Sequence, residues 1–238
     1  MRRYIKKIKP KYIIHCAGLS RPMDLHVKNI NKSINLNIIG TANVVNICSE
    51  FNIKLIYFST GYVYDGKKGN YSENDPLLPI NNYAWSKLGG ECSVVLYKKS
   101  LILRIMMCER PFLHDHAFYD IKTNFMFQDE VAKIIPKILD KKGIINIGGK
   151  IQSVYDFAKK TKKDVLKIKV DPDRLRPIDA DLQVPDIEKF KKHICYMLVY
   201  FEQNKLNILS TSKYILENRK LFIVRQIVLL YVLVYLKS

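Results

Sequence analysis

Short apolar runs alternate with longer runs of helical spacing through the first half of the chain, and that alternation restricts the fold more than any other feature. Tyr12-Ile13-Ile14-His15 is an apolar run that stops at Gly18. From Asn29 to Phe51, Ile30, Ile34, Ile38, Ala42 and Val45 recur at the spacing of a helix face. Lys54 to Ser59 reads as a strand that is apolar on both faces, the pattern of a strand covered from two sides. A helix over Asn82–Tyr97 leads to a further strand at Ser100–Arg104. Strands joined through helices run parallel, because a tight turn can only reverse the chain. The pattern predicts a parallel α/β sheet in which these three strands are neighbours.

Residues 60–81 are rich in Gly, Asn, Asp and Pro and form a long loop, which inside a compact domain is usually functional. Past Pro111 the pattern weakens until a helix over Asp129–Leu139, where Pro136 is expected to introduce a kink. Ile144–Ile147 is a strand closed by Gly148-Gly149, and Ser153 is placed to cap the next helix. Three regions follow: a sheet domain over 1–150, a small charged, Pro-punctuated lobe over 151–192, and a tail of different character over 193–238. In the tail, the apolar run Ile227–Leu236 is far short of the ~20 residues that a membrane span needs. It is expected to be a packed C-terminal helix, with no membrane anchor. There are no internal repeats.

The 40 Lys+Arg against 22 Asp+Glu give a formal charge of +18. Such a charge could serve nucleic acid or an anionic surface. Here it is mostly lysine spread along the whole length, with no basic helix or aromatic-basic motif, so no nucleic-acid partner is expected. Cys16, Cys48, Cys92, Cys108 and Cys195 are odd in number, widely spaced and without a CxxC pair. They read as buried thiols in a reducing compartment, and with no signal-peptide pattern at the N-terminus a cytoplasmic location is expected. His114-Asp115-His116 lacks further ligands, so no metal site is expected. Arg21, Arg174 and Arg176 could meet substrate phosphates, although such arginines are more often exposed or locally paired.

Chemistry concentrates in Ser59 to Glu91. Tyr83 and Lys87 lie four apart on the expected helix and therefore share a face. A free tyrosine, with a pKa near ~10, is a poor proton shuttle at neutral pH, and a nearby cation favours the phenolate. Thr60 ends the preceding strand at the edge where parallel sheets place ligands, and its hydroxyl could reach a substrate oxygen also touched by Tyr83.

Taken together, these segments resemble extended short-chain dehydrogenases/reductases, and within them the nucleotide-sugar reductases of the dTDP-4-dehydrorhamnose reductase type. His15-Cys16-Ala17-Gly18 stands for the Asn/His-x-Ala-Ala/Gly turn, and Asn37-Ile38-Ile39-Gly40-Thr41-Ala42-Asn43 for the Asn-x-x-Gly-Thr-x-Asn helix. Ser59-Thr60 with Tyr62-Val63-Tyr64-Asp65-Gly66 stands for Ser-Thr-Asp-Tyr-Val-Phe-Asp-Gly, and Tyr83 through Glu91 for Tyr-x-x-x-Lys-x-x-x-Glu. The resemblance covers residues 5–192 and is most specific over 12–104. It implies a Rossmann-like parallel sheet lacking its first βαβ unit, with a small C-terminal substrate lobe.

The same resemblance implies NAD or NADP as cofactor and reduction of a nucleotide-linked 4-keto-6-deoxy sugar. Tyr83 would be the general acid, Thr60 would orient the keto oxygen, and Lys87 would hold the nicotinamide ribose and tune Tyr83. Cys16, Ala17 and Gly18 would line the cofactor cleft, and Asn37 would position its helix. A homodimer is compatible with the resemblance. Epimerase or dehydratase chemistry uses the same Tyr and Lys, and a non-catalytic binding role is the alternative of a different class, since the regulatory subunit of methionine adenosyltransferase also resembles this family.

Three departures stand out. Gly61 replaces the Asp of Ser-Thr-Asp and is expected to loosen substrate contacts. Ile105-Met106-Met107-Cys108-Glu109-Arg110-Pro111 departs from the family's Thr-x-x-Val-Tyr-Gly. No Gly-x-x-Gly-x-x-Gly follows a strand, and Met1 falls where the helix before the fourth strand should begin, as though a unit of roughly 30 residues or more were missing. Without a glycine-rich helix start to receive a pyrophosphate, the chain is expected to bind dinucleotide weakly. Arg174 to Leu182 (RLRPIDADL) vaguely resembles a substrate-pocket segment of these reductases.

Overall fold

The computed structural model describes residues 1–170 and three further strands at 197–202, 205–210 and 231–234. In chain order the first elements are α1 (Arg2–Ile8), β1 (Tyr12–His15), α2 (Leu25–Lys28) and α3 (Ile30–Ser33). A π-helical segment at Ile34–Ile39 leads into α4 (Gly40–Glu50), and β2 (Lys54–Thr60) runs into a single 3₁₀ turn at Gly61–Val63. Then come α5 (Asn82–Val95), β3 (Ser100–Ile105), the short strands β4 (Met107–Cys108), β5 (His116–Phe118), β6 (Lys122–Thr123) and β7 (Met126–Phe127), and α6 (Gln128–Ile138). After these follow β8 (Gly143–Ile147), β9 (Gln152–Ser153), α7 (Val154–Lys159), β10 (Leu166–Ile168), β11 (Met197–Glu202), β12 (Lys205–Ser210) and β13 (Tyr231–Val234).

The main sheet has the order β13-β1-β2-β3-β8. β1, β2, β3 and β8 are parallel, with Tyr12 opposite Lys54, Leu55 opposite Ser100 and Leu101 opposite Gly143. The three strands expected as parallel neighbours are therefore neighbours, and the fold is the Rossmann-like α/β class. Every residue of β1, β2 and β3 is buried because helices cover both faces. Strand alternation sends Leu55, Tyr57 and Ile102 to one face, where they pack with Val44, Cys48 and Val94 of α4 and α5 and with Ile5 of α1. Ile56, Phe58, Leu101, Leu103 and Ile105 go to the other face, against Val131, Ile135 and Leu139 at α6.

Several expectations need correction. The apolar run Ile227–Leu236 predicts a helix, but its described part, Tyr231–Val234, is a strand paired antiparallel with β1. Tyr-Val-Leu-Val is rich in aromatic and β-branched residues, which fit a pleated surface better than a helix. The weakly patterned stretch around and after Pro111 carries four strands only two or three residues long. They build a second small core around Phe112, Phe127, Val154 and Phe157. Cys92 is exposed on α5 rather than buried; Cys48 and Cys108 are buried, Cys16 is half-buried, and all four thiols are free. The expected lobe beyond residue 170, with Arg174, Arg176 and Cys195, lies outside the described residues. Among those described, no helix is long and apolar enough to cross a membrane and no residues cluster to hold a metal ion.

Candidate active site

The C-terminal edge of the parallel sheet gathers the site. Thr60 is the last residue of β2, and its hydroxyl accepts from the Tyr62 backbone N–H at 3.3 Å as the chain enters the 3₁₀ turn. Tyr83 lies in the first turn of α5, whose start is fixed by Asn81, the side chain of which accepts from the Ala84 N–H at 2.8 Å. The Thr60 hydroxyl faces the Tyr83 phenol closely enough to favour its phenolate. Two hydroxyls on separate elements thus meet at one point, and both residues' hydroxyls stand out from sequence.

One turn further along α5, Lys87 is buried and extends its ammonium over the Tyr57 ring, 4.1 Å from the centroid. Burial lowers its pKa to about 8, against the opposing pull of Cys16 and Glu91. The loop after β1 lies beside it, since a Cβ added at Gly18 would stand 4.0 Å from the Lys87 Nζ and 2.8 Å from the Asn37 Oδ1. Gly18 is therefore the residue that lets this loop approach both groups. His15, fully buried below, is kept neutral by burial and by the Lys87 charge, its pKa lowered to about 3.

Burial pushes the Tyr83 phenol up to about 12, Tyr62 adds to the rise, and the groups that oppose it are the Thr60 hydroxyl and Arg21. Lys87 faces the Tyr57 ring and the Cys16 side of the loop. Arg21 in turn forms an ion pair with Glu109 at 2.9 Å, bridging the loops that follow β1 and β4.

Asn37 does more than position its own helix. Its Oδ1 accepts from the Leu19 N–H at 2.6 Å, and its Nδ2 donates to the Leu19 carbonyl at 2.8 Å and to the Ser86 Oγ at 2.7 Å. One buried amide thus ties the loop after β1 to α5, three residues past Tyr83. It reaches both from the π-helical segment at Ile34–Ile39, a local widening common near functional sites. His26 carries no signal in the sequence. Its buried ring meets the Tyr83 ring edge-on at 5.3 Å, and its Nδ1 is 2.7 Å from the Ser33 Oγ.

Behind the site, Arg104 on β3 and Glu91 on α5 form a buried ion pair with 2.9 Å between Nη2 and Oε2. Arg104 also donates to the Tyr64 hydroxyl at 2.8 Å and to the Glu73 carbonyl at 3.2 Å, which anchors the long 60–81 loop.

A four-stranded parallel sheet covered by helices on both faces, with Thr60, Tyr83 and Lys87 at its C-terminal edge, defines the class as Rossmann-like α/β proteins. Comparison with known proteins is more particular: residues 1–108 match the family described as RmlD substrate binding domain. The chain is 37% identical over 95 residues to methionine adenosyltransferase 2 subunit beta of Danio rerio, an alignment covering 40% of this chain and 28% of that protein. It is 32% identical over 102 residues to dTDP-4-dehydrorhamnose reductase of Aggregatibacter actinomycetemcomitans, covering 42% of this chain and 34% of the relative. The chain thus spans 28% and 34% of the length of these two curated relatives. Among solved structures, a hypothetical dTDP-4-dehydrorhamnose reductase from Sulfolobus tokodaii aligns with a TM-score of 0.62 at 26% identity, over 75% of this chain and 73% of that one. The Bacillus anthracis dTDP-4-dehydrorhamnose reductase in complex with NADP shares the fold with a TM-score of 0.62 at 24% identity, over 71% and 69% of the two chains.

Proposed function

We propose that this chain carries the catalytic half of an NAD(P)-dependent reductase acting on a nucleotide-linked 4-keto-6-deoxy sugar. The observation that carries the reading is the convergence of Thr60, at the end of β2, and Tyr83, in the first turn of α5, at the ligand edge of the sheet, where the Thr60 hydroxyl acts on the Tyr83 phenol. Two hydroxyls sharing a point can both engage one carbonyl oxygen. Thr60 orients that oxygen, and Tyr83 donates its proton to it as the alkoxide forms. A phenol held up at about 12 is fully protonated at neutral pH, which suits the donor required for reduction.

The loop and Lys87 fit a nicotinamide dinucleotide. Cys16, Ala17 and Gly18 bring small side chains and a close backbone to the sheet edge beside a buried ammonium. The buried Ser59 Oγ, next to Thr60, has no hydrogen-bond partner and could serve a ligand there. When bound, the cofactor supplies the hydride. Lys87 would donate to its ribose hydroxyls, and the 16–18 loop would line its nicotinamide side. Solved neighbours of the same fold in complex with NADP or NAD support a nicotinamide cofactor of either kind.

A second reading is a non-catalytic binding subunit, favoured by the 37% identity to methionine adenosyltransferase 2 subunit beta. NADPH oxidation with dTDP-4-dehydrorhamnose, compared between the wild type and Tyr83→Phe, separates the two. Reduction should fall about 10²–10⁴-fold in the variant, the range for loss of a general acid. Nucleotide binding by the wild type with no turnover would favour the second reading.

A further inference from the structure

Tyr83 meets a partner at its ring as well as at its hydroxyl. The chain after β1 turns through α2 and α3, and α2 sets His26 against the first turn of α5. The imidazole is 2% exposed, and its centroid lies 5.3 Å from that of the Tyr83 ring with 64° between the planes. Edge-to-face contact of this kind is directional, so it resists tilting of either ring. A second tie runs through the neighbouring residue, where the Asn82 Nδ2 donates to the His26 carbonyl at 3.3 Å. From within α5, the Ser86 Oγ donates to the Tyr83 carbonyl at 2.7 Å and accepts from the Asn37 Nδ2 at 2.7 Å. Backbone and ring of the tyrosine are thus held from different sides.

The imidazole is itself anchored. Its Nδ1 lies 2.7 Å from the buried Ser33 Oγ on α3, a helix whose start is fixed by Asn29 accepting from the Lys32 N–H at 2.9 Å. Its Nε2 is buried and has no hydrogen-bond partner among the described residues. An unpaired buried nitrogen is costly, and a position that served packing alone would be filled as well by a phenyl or an aliphatic group without that cost. What the histidine adds is a flat ring whose plane a hydrogen bond sets. Burial lowers its pKa to about 4, so it is neutral at physiological pH and adds no charge beside the phenol. The groups acting on the Tyr83 hydroxyl come from elsewhere: Thr60 and Tyr62 at the end of β2, and Arg21 in the loop after β1.

We infer that His26 is a positioning residue for Tyr83: its imidazole, anchored on Ser33, sets the tyrosine ring so that the phenol faces Thr60, and it keeps water off that side of the ring. The role rests on the reductase reading, in which the phenol must be aligned with the oxygen that receives its proton. Misplacement of a reacting group by about 1 Å can cost 10²-fold in rate. His26 touches no reacting atom and acts only through Tyr83. It also lies on the same stretch of chain as Cys16, Ala17 and Gly18, so the segment that would line the cofactor cleft is the one that aims the proton donor.

The test uses three variants of the full chain. His26→Leu fills the space without a flat ring, and it should lower kcat for NADPH-dependent reduction of dTDP-4-dehydrorhamnose by about 10²-fold while leaving KM for NADPH unchanged. His26→Phe restores a ring of similar size and should recover most of that loss. His26→Ala opens the contact to water, which is read without turnover by ultraviolet difference titration of tyrosinate against the same variant carrying Tyr83→Phe. The Tyr83 phenol, held up at about 12 in the wild type, should ionise nearer its ordinary ~10 in His26→Ala. A kcat in His26→Leu equal to that of the wild type, or an unmoved Tyr83 ionisation in His26→Ala, overturns the role of His26 and leaves the reductase reading standing. A wild type that never turns over overturns that reading, and the titration then decides by itself whether His26 holds Tyr83.

Discussion

Replacing Glu91 with Gln removes one charge from the ion pair that joins α5 to β3 while keeping the side-chain volume. Both partners are nearly sealed from solvent, with side-chain exposures of 3% for Arg104 and 2% for Glu91. Removing one partner of such a pair leaves an uncompensated buried charge, at a cost of about 3–5 kcal/mol. Arg104 retains the Tyr64 hydroxyl and the Glu73 carbonyl, and Gln keeps one acceptor oxygen, so the lower end, about 3 kcal/mol, applies. For a domain of this size that corresponds to a fall in Tm of about 6–12 °C. Urea unfolding followed by circular dichroism measures the difference, and it should vary little with salt, since buried pairs are weakly screened. The double replacement Glu91→Leu with Arg104→Met should recover most of the loss, because apolar groups of similar volume carry no desolvation cost. A Glu91→Gln variant within about 1 kcal/mol of wild type would refute the reasoning, since it would mean that Arg104 is not buried as an ion at all.

Adjacent glycines of α5 should respond differently to Ala. A Cβ at Gly90 meets the Tyr57 hydroxyl at 2.5 Å and the Asn37 carbonyl at 2.8 Å, neither free to move, whereas at Gly89 it meets the flexible end of Ile38 at 2.7 Å. Gly90→Ala should cost about 1–3 kcal/mol and Gly89→Ala close to nothing, as the gain in helix propensity offsets a rotamer change; equal unfolding midpoints would contradict this. Lys87 gives a pH dependence whose sign follows from its lowered pKa. Between about 8 and the ordinary 10.5 the unfolded chain holds the proton that the folded chain has released, so stability due to this group rises with pH across that window. Unfolding measured at both ends should show the rise in wild type relative to Lys87→Met, and a flat difference would mean that the ammonium is solvated.

The parallel strands were legible because periodicity carries them, and spacing alone singles out Tyr83 at the head of the helix that follows Thr60. An apolar run buried on both faces needs covering layers, and a tyrosine at the head of the helix after such a strand can only overhang the sheet edge. What escaped has equally physical reasons. Strands of two residues, as at Met107–Cys108, are too short to show a period. Ile34 and Ile38 fit α and π spacing alike, so the widened turn between Ile34 and Ile39 leaves no mark in the apolar pattern. Met106 over Gly61 and His26 against Tyr83 are encounters between segments distant in sequence, and nothing in either segment announces the other. Sharing a helix face with Tyr83 likewise says nothing about what else the long Lys87 side chain reaches, here the Tyr57 ring.

The π-helical segment has a consequence for how this part of the chain can change. A π turn accommodates one more residue than an α turn over the same path, so it behaves as an absorbed insertion. Downstream, Val44, Val45 and Cys48 keep their place in the core, while upstream the extra residue rotates the Asn37 amide onto Leu19. Deleting a single residue from the stretch Ile34-Asn35-Leu36 would let the helix close into regular α geometry without shifting Gly40–Glu50 on the sheet. The grip on the loop after β1 and the packing of the sheet are therefore separately editable. A lineage could gain or lose the first through a one-codon length change and leave the second untouched.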